Sequence, residues 1–318
     1  MADEPRQPVR KVVFPAAGFG TRFLPATKAQ PKEMLPIVDT PSIQFAIEEA
    51  LESGLDDMLV VTGRGKRAIE DHFDRAPELE HAVERSGKRD LLEIVRETAD
   101  LVDLHFVRQK EALGLGHAVL QARRHVGSEP FAVILGDDLI WSDGRPAIGQ
   151  LLDVFARYGA PVVAVERVPR ERTGSYGIVD VDPTPVAPGV WEVRGLVEKP
   201  DPSVAPSTLA VVGRYVLVPE IFELLAGQGP GAKGEIQLTD ALESLRRGRR
   251  MLALEFEGVR YDTGDKLGYL KATVDFALRH PDLGDAFAAF LRERAAALDP
   301  IQGAGARAVA AASGEASA

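Results

Sequence analysis

Apolar residues along the chain alternate between two textures, short unbroken runs and longer helical repeats. KVVFPAA at 11–17 is an apolar run that ends in glycines. It predicts a buried strand, the first of a parallel sheet. Pro15 cannot donate to a ladder, so this strand is expected to stop near that point. SIQFAIEEALES at 42–53 places apolar residues at 43, 46, 47, 50 and 51. That is the spacing of one helix face, and Gly54 is the expected cap. MLVVT at 58–62 reads as the next strand. Strand, loop, helix and strand in that order make a βαβ unit with a right-handed crossover.

The alternation continues through a charged helical stretch at 66–98, a strand at 104–108, a helix at 115–124, the strand FAVIL at 131–135, a helix at 146–158 and a strand at 162–166. After residue 168 the texture changes. YGIVDVD and WEVRGLVEK read as a strand pair around a proline-bearing connection, suggesting a mixed sheet or a small strand-rich subdomain beside the main sheet. Strands at 209–218 and 251–256 and helices at 219–226, 238–246, 266–279 and 283–297 complete an α/β chain. No internal repeat or heptad run interrupts it. The tails, 1–8 and 299–318, have little that could anchor them and are expected to be disordered.

The 318 residues are 45% hydrophobic, enough for a sizeable core, and carry a formal net charge of −10. An acidic balance argues against a general nucleic-acid surface. The cysteine count is zero, which removes disulfides, thiolate metal sites and cysteine nucleophiles. No apolar stretch is long enough to span a bilayer and no leader segment is visible, so no membrane role and a cytoplasmic location are the expectations.

Against that acidic background, residues 15–35, PAAGFGTRFLPATKAQPKEML, stand out. Gly18 and Gly20 follow a buried strand, where small residues let backbone amides face an anion. Arg22, Lys28 and Lys32 add three positive charges with no acid among them. A polyphosphate is the natural guest of such a loop. A plain solvated basic loop is the bland alternative. The segment is neither a dinucleotide fingerprint, since Phe23 stands where the third glycine would be, nor a P-loop. Asp137 and Asp138 follow FAVIL, and Asp262 follows another apolar strand in RYDTGDK. Carboxylates at strand ends suit Mg²⁺ held against phosphate, although an acidic turn or helix cap fits the first pair equally well. Gln109, Glu198 and Lys199 are, by themselves, ordinary surface polar residues. His72, His105, His117 and His125 show no zinc spacing and read as surface or packing residues. RRGRR at 246–250 reads as a solvated helix end.

AAGFGTRFLPATKAQPKEMLPIVDTPSIQF resembles the signature of the sugar-phosphate nucleotidylyltransferases, in particular the bacterial branch that transfers uridylyl groups to glucose 1-phosphate. Further motifs recur in order: VRQKEALGLGHAV at 107–119, VILGDDL at 133–139, SYGIV at 175–179, LVEKP at 196–200, KGEIQLTDAL at 233–242 and RYDTGDKLGY at 260–269. The resemblance implies a Rossmann-like nucleotide-diphospho-sugar transferase fold with a mixed, largely parallel sheet flanked by helices. It implies one domain over 9–297, with 9–168 mainly nucleotide-binding and 169–297 mainly sugar-phosphate-binding. The implied substrates are UTP and glucose 1-phosphate. The implied cofactor is Mg²⁺ on Asp137 and Asp262, with Asp138 shaping the site. Gln109 would meet uracil, Ala16, Ala17 and Gly18 would offer backbone contacts to base and ribose, and Gly114 would line the base pocket. Gly20, Thr21 and Lys28 would belong to the phosphate loop, with Arg22 and Lys32 on the leaving pyrophosphate. Glu198 would hold glucose hydroxyls, Lys199 the sugar phosphate, and Gly177 would allow close approach. The family is commonly dimeric or tetrameric. A thymidylyl-transferring relative, and a non-catalytic nucleotide-sugar sensor on the same fold, are the rivals.

Overall fold

The structure, a computed structural model, describes residues 7–297 except 230, 232 and 233. The expected tails fall outside those residues, apart from Gln7 and Pro8, which lie in no regular element. The elements in chain order are β1 (Lys11–Ala16), β2 (Pro36–Ile37), β3 (Thr40–Pro41), α1 (Ser42–Glu52), β4 (Asp57–Thr62), α2 (Arg67–Phe73), α3 (Pro77–Arg85), α4 (Arg89–Asp100), β5 (Leu104–Arg108), α5 (Leu115–Gln121), α6 (Arg123–Val126) and β6 (Phe131–Ile134). There follow β7 (Asp138–Trp141), α7 (Ala147–Tyr158), β8 (Val162–Arg167), β9 (Gly177–Val181), β10 (Val190–Glu198), β11 (Leu209–Leu217), α8 (Glu220–Gly227), α9 (Leu238–Gly248), β12 (Leu252–Glu255), β13 (Val259–Asp262), α10 (Lys266–Arg279) and α11 (Gly284–Ala296).

Nine strands form one sheet in the order β5-β4-β1-β6-β11-β8-β12-β10-β9. The first four are mutually parallel. β11 runs antiparallel to both β6 and β8, while β8 and β12 are parallel. The β9–β10 strand pair is joined to the sheet as its far edge, through β12 and a contact with β11. Every residue of β6 and β11 is buried, so the apolar runs are covered on both faces. α1 and α7 lay apolar faces on the same core, through Ile43, Ala46 and Ile47 and through Ile148 and Leu151.

β1 ends at Ala16, one residue past Pro15, close to the expected place. It pairs with β4 along its whole length but with β6 only from Lys11 to Val13. The missing proline donor therefore falls where one side of the ladder has already ended. The charged 66–98 stretch is helical, divided among α2, α3 and α4, and no residue of α4 is buried. Asp138 lies in a short strand rather than a turn. β7 pairs antiparallel with β13, which brings Asp138 opposite Asp262. Gly54 takes φ 84° just past α1, as its capping role requires. Among the described residues no helix is long and apolar enough to cross a membrane.

Candidate active site

The C-terminal ends of the parallel strands collect the loop-borne side chains, as open α/β sheets do. β1 delivers Ala16, Ala17 and Gly18. β5 delivers Gln109, whose backbone N–H donates to the Thr62 carbonyl at the end of β4 (2.8 Å). β6 leads to Asp137. The loop after β1 winds into three short 3-10 turns, the first carrying Thr21 and Arg22, the second Lys28 and the third Lys32. Thr27 Oγ1 donates to the Gly20 carbonyl (2.7 Å), which fastens the second turn onto the first. Glu33 is buried and pairs with the equally buried Lys66 (2.6 Å), tying the loop to the start of α2. The other Glu33 oxygen, Oε1, is buried without a partner.

Lys32 Nζ donates to Asp137 Oδ2. Burial works against both charges, but their mutual attraction outweighs it. The Asp137 carboxyl is held below the usual range and the Lys32 ammonium above its own. Gly264 marks where the groups converge. A Cβ built there would stand 3.0 Å from Asp262 Oδ1, 3.1 Å from Asp137 Oδ2 and 3.7 Å from an Arg22 guanidinium nitrogen. Both carboxylate oxygens lie about 3 Å from one point, so they are at most about 6 Å apart. Burial, followed by the neighbouring Asp138 carboxylate, pushes the Asp262 carboxyl up, and Asp137 adds to the push. Two carboxylates facing one another with oxygen-only donors fit a hard divalent cation such as Mg²⁺.

Asp138 points behind this pair. Its Oδ1 accepts from Arg260 Nε (2.7 Å) and its Oδ2 from the Gly213 N–H (3.0 Å). Arg260 also donates to Glu166 Oε1 (2.6 Å), lies 3.8 Å from Asp262 Oδ2 and covers the Tyr176 ring at 5.3 Å. The Tyr176 carbonyl accepts from the Lys199 N–H (3.0 Å). The groups around Gly264 and those around Lys199 are thus neighbours.

At the far edge of the sheet, Gly177 of β9 pairs in register with Glu198 of β10. Glu198 accepts from Lys199 Nζ (2.5 Å) and from Thr239 Oγ1 at the start of α9 (2.7 Å). A Cβ on Gly177 would meet Thr239 Oγ1 at 3.0 Å and Glu198 Oε2 at 3.3 Å, so only glycine leaves this corner open. Lys199 has φ 45°, a left-handed backbone in a residue other than glycine, which turns the chain sharply after Glu198.

Just past β5, Gln109 is buried and its Nε2 lies 3.2 Å from the Gly114 carbonyl and 2.9 Å from His117 Nδ1. Gly114 has φ 99°, and a Cβ there would strike Glu235 and the Ile236 backbone. The glycine is required by the chain's own packing. Lys28 and Thr21 are exposed on the loop.

Sequence reasoning missed Arg260, Thr239, Lys66 and His117. Thr239 and Arg260 lie inside quoted motifs, but nothing in their spacing tells which side chains they face. His117 is not a plain packing residue, because it holds the Gln109 amide. RRGRR is paired rather than simply solvated: Arg246 and Arg247 bind Glu243, Arg249 binds Glu220 and Arg250 binds Glu192.

A nine-stranded mixed sheet with a basic loop and Asp137 at its strand ends, met by Asp262 from the separate β7–β13 pair, defines a class. Residues 11–278 match the nucleotidyl transferase family, and the chain belongs to it. A UTP–glucose-1-phosphate uridylyltransferase of Staphylococcus epidermidis is 52% identical over 285 residues, covering 90% of this chain and 98% of that one. A solved UDP-glucose pyrophosphorylase in complex with UDP-glucose superposes with a TM-score of 0.78 at 44% identity, over 86% of this chain and 100% of that one. A UTP-bound UDP-glucose pyrophosphorylase from Acinetobacter baumannii gives a TM-score of 0.83 at 41% identity, over 90% and 99% of the two chains.

Proposed function

We infer that this chain transfers a uridylyl group from UTP to α-D-glucose 1-phosphate, releasing UDP-glucose and pyrophosphate. The observation that carries this reading is the meeting of Asp137, Asp262 and Arg22 around Gly264, beside the Glu198–Lys199–Thr239 corner. The relatives named for this reaction and the solved complexes with UTP and UDP-glucose support it.

The nucleophile is a phosphate oxygen of glucose 1-phosphate, and its target is the α-phosphorus of UTP. That oxygen is already anionic, so no general base is needed. The difficulty is that two polyanions must be brought in line against their repulsion. Lys199 holds the sugar phosphate as a point charge. Glu198 and Thr239 bind glucose hydroxyls, with Gly177 leaving room. Arg22 and Lys32 offset the charge that builds on the departing pyrophosphate, and Lys28 and Thr21 extend the same positive loop with Gly20. Gln109 reads the uracil edge in a pocket bordered by Gly114, while Ala16, Ala17 and Gly18 supply backbone contacts to base and ribose. Asp137 and Asp262 would hold Mg²⁺, and Asp138 keeps Arg260 behind them. When bound, that ion would supply positive charge that offsets the negative charge of the phosphates.

A cytoplasmic enzyme of small-molecule substrates is the reading that fits. Exposed Leu267, Leu270, Leu278, Leu283 and Phe290 along α10 and α11 offer the surface on which a homodimer or homotetramer would form.

Pyrophosphate release measured across UTP, dTTP, ATP and GTP, against glucose 1-phosphate and galactose 1-phosphate, with and without Mg²⁺, tests the proposal. The fastest rate is expected for UTP with glucose 1-phosphate and Mg²⁺. The rate with dTTP is expected to fall by no more than about 10²-fold, because one methyl group discriminates weakly. A faster rate with a purine nucleotide, or none with any pair, overturns it. Glu198→Gln is expected to raise KM for glucose 1-phosphate about tenfold, the loss of one charge-assisted hydrogen bond, with KM for UTP unchanged. Equal effects on both KM values would remove Glu198 from the sugar side.

A further inference from the structure

A group of side chains at the N-terminal ends of β4 and β5, the opposite end of the strands from the candidate active site, has the composition of a transition-metal site. Asp57 opens β4, His105 is the second residue of β5 and His125 lies in α6. One ligand-capable atom of each lies within 4.8 Å of the other two. His125 Nε2 stands 2.6 Å from Asp57 Oδ1, and the His105 and His125 rings are 4.8 Å apart between centroids. β4 runs from Asp57 to Thr62, whose carbonyl holds Gln109, so roughly 17 Å of strand separates this group from the active site.

Arg10 lies near Asp57, and Lys11 pairs with Asp57 directly, a charge that argues against a metal here. Its ammonium lies 3.1 Å from Asp57 Oδ2, 3.2 Å from Glu129 Oε1 and 3.0 Å from the His125 carbonyl. Those three oxygens hold it on the far side of the Asp57 carboxylate, and Oδ1 is left to the imidazoles. Its charge weakens cation binding without blocking it, which sets the expected affinity at micromolar rather than tighter.

We propose that Asp57, His105 and His125 bind one Zn²⁺ ion, with water in the remaining position. The His125 proton that now lies towards Asp57 would move to the other ring nitrogen. Ligand bonds of about 2.0–2.2 Å require the three atoms to close up, and exposed His105 is the side chain free to move in. Two imidazoles and one carboxylate suit zinc, and they suit Mg²⁺ poorly, since that ion takes oxygen ligands. The two metal sites therefore differ in kind: oxygen-only at Asp137 and Asp262, nitrogen-rich here. β5 is an edge strand paired only with β4, so an ion in this place ties the edge strand, its neighbour and α6 together.

The test uses the full chain stripped with EDTA and then held in saturating Mg²⁺, which fills the oxygen-only site. Titration with ZnCl₂ is followed by calorimetry and by thermal unfolding. One Zn²⁺ per chain with a micromolar Kd and a rise of several degrees in Tm is expected at about a hundredfold excess over Kd. His105→Asn and His125→Asn are each expected to weaken binding at least tenfold and abolish the rise in Tm, with Mg²⁺-supported pyrophosphate release unchanged. Asp137→Asn should retain the zinc. If the wild type binds no zinc in saturating Mg²⁺, if Asp137→Asn abolishes the binding, or if both histidine variants bind like the wild type, the proposal is wrong.

Discussion

Asp137→Asn is expected to lower the rate of pyrophosphate release by on the order of 10²-fold or more, with a raised Mg²⁺ requirement. Asparagine keeps the shape of the side chain and removes its charge. Two things are lost together. The Lys32 ammonium loses its ion-pair partner, and the oxygen that faces Asp262 across Gly264 becomes a neutral amide. A preorganised charge in a half-buried site is hard to replace, because solvent would have to reorganise at the moment of reaction. The substitution is expected to leave folding intact, because Asp137 lies in a loop and its backbone carbonyl, which accepts from Thr263, is unchanged. Single-turnover rates across an Mg²⁺ titration measure the effect. A rate within a factor of about three of the wild type would take the metal away from Asp137.

The sequence carried the elements of this site better than their contacts. Asp137 and Asp262 were legible because each follows an apolar run, and strand ends in an α/β sheet are where ligands gather. The loop was legible through its charge, since Arg22, Lys28 and Lys32 are unusual neighbours in an acidic chain. Arg260 was not, although it adjoins Asp262, because its partners Asp138 and Glu166 lie 122 and 94 residues away. β7 was hidden for the same reason. Its four residues look like the tail of a turn until β13 arrives beside them. Pro15 marked the end of β1 to within one residue, because a proline is tolerated only where its N–H is not wanted, and β6 has already left the ladder there. The His117 contact was invisible for a different reason: a lone histidine in a helical segment has no spacing to interpret.

Arg214 did leave a trace, a single charge inside the apolar run LAVVGRYVLV. A charged residue in a fully buried strand demands a partner, and the partner is Glu49 of α1, 165 residues away. The guanidinium is fully buried. Its Nε lies 3.0 Å from each Glu49 oxygen, and its Nη2 donates to Glu49 Oε2 (2.6 Å) and to the Asp138 carbonyl (2.8 Å). Nη1 donates to the carbonyls of Gly213 (2.9 Å) and Leu135 (3.3 Å). Glu49 Oε1 also accepts the Ile148 N–H of α7 (2.9 Å). The pair therefore clamps α1, α7 and the Leu135–Asp138 segment that presents Asp137. Glu49→Ala strands a guanidinium in the core, a loss expected to cost about 3–5 kcal/mol and to lower Tm by on the order of 10 °C. Replacing both partners, as in Glu49→Leu with Arg214→Met, removes the buried charge altogether and is expected to recover most of that stability. Activity should not return with it. The two carbonyls that flank Asp137 would have lost the Arg214 guanidinium, and the loop between them would be held less firmly to one position. Urea melts and kcat on the wild type and the two variants separate the two effects. A Glu49→Ala protein as stable as the wild type would mean that the Arg214 charge finds water or another carboxylate, and that the clamp does not hold the site.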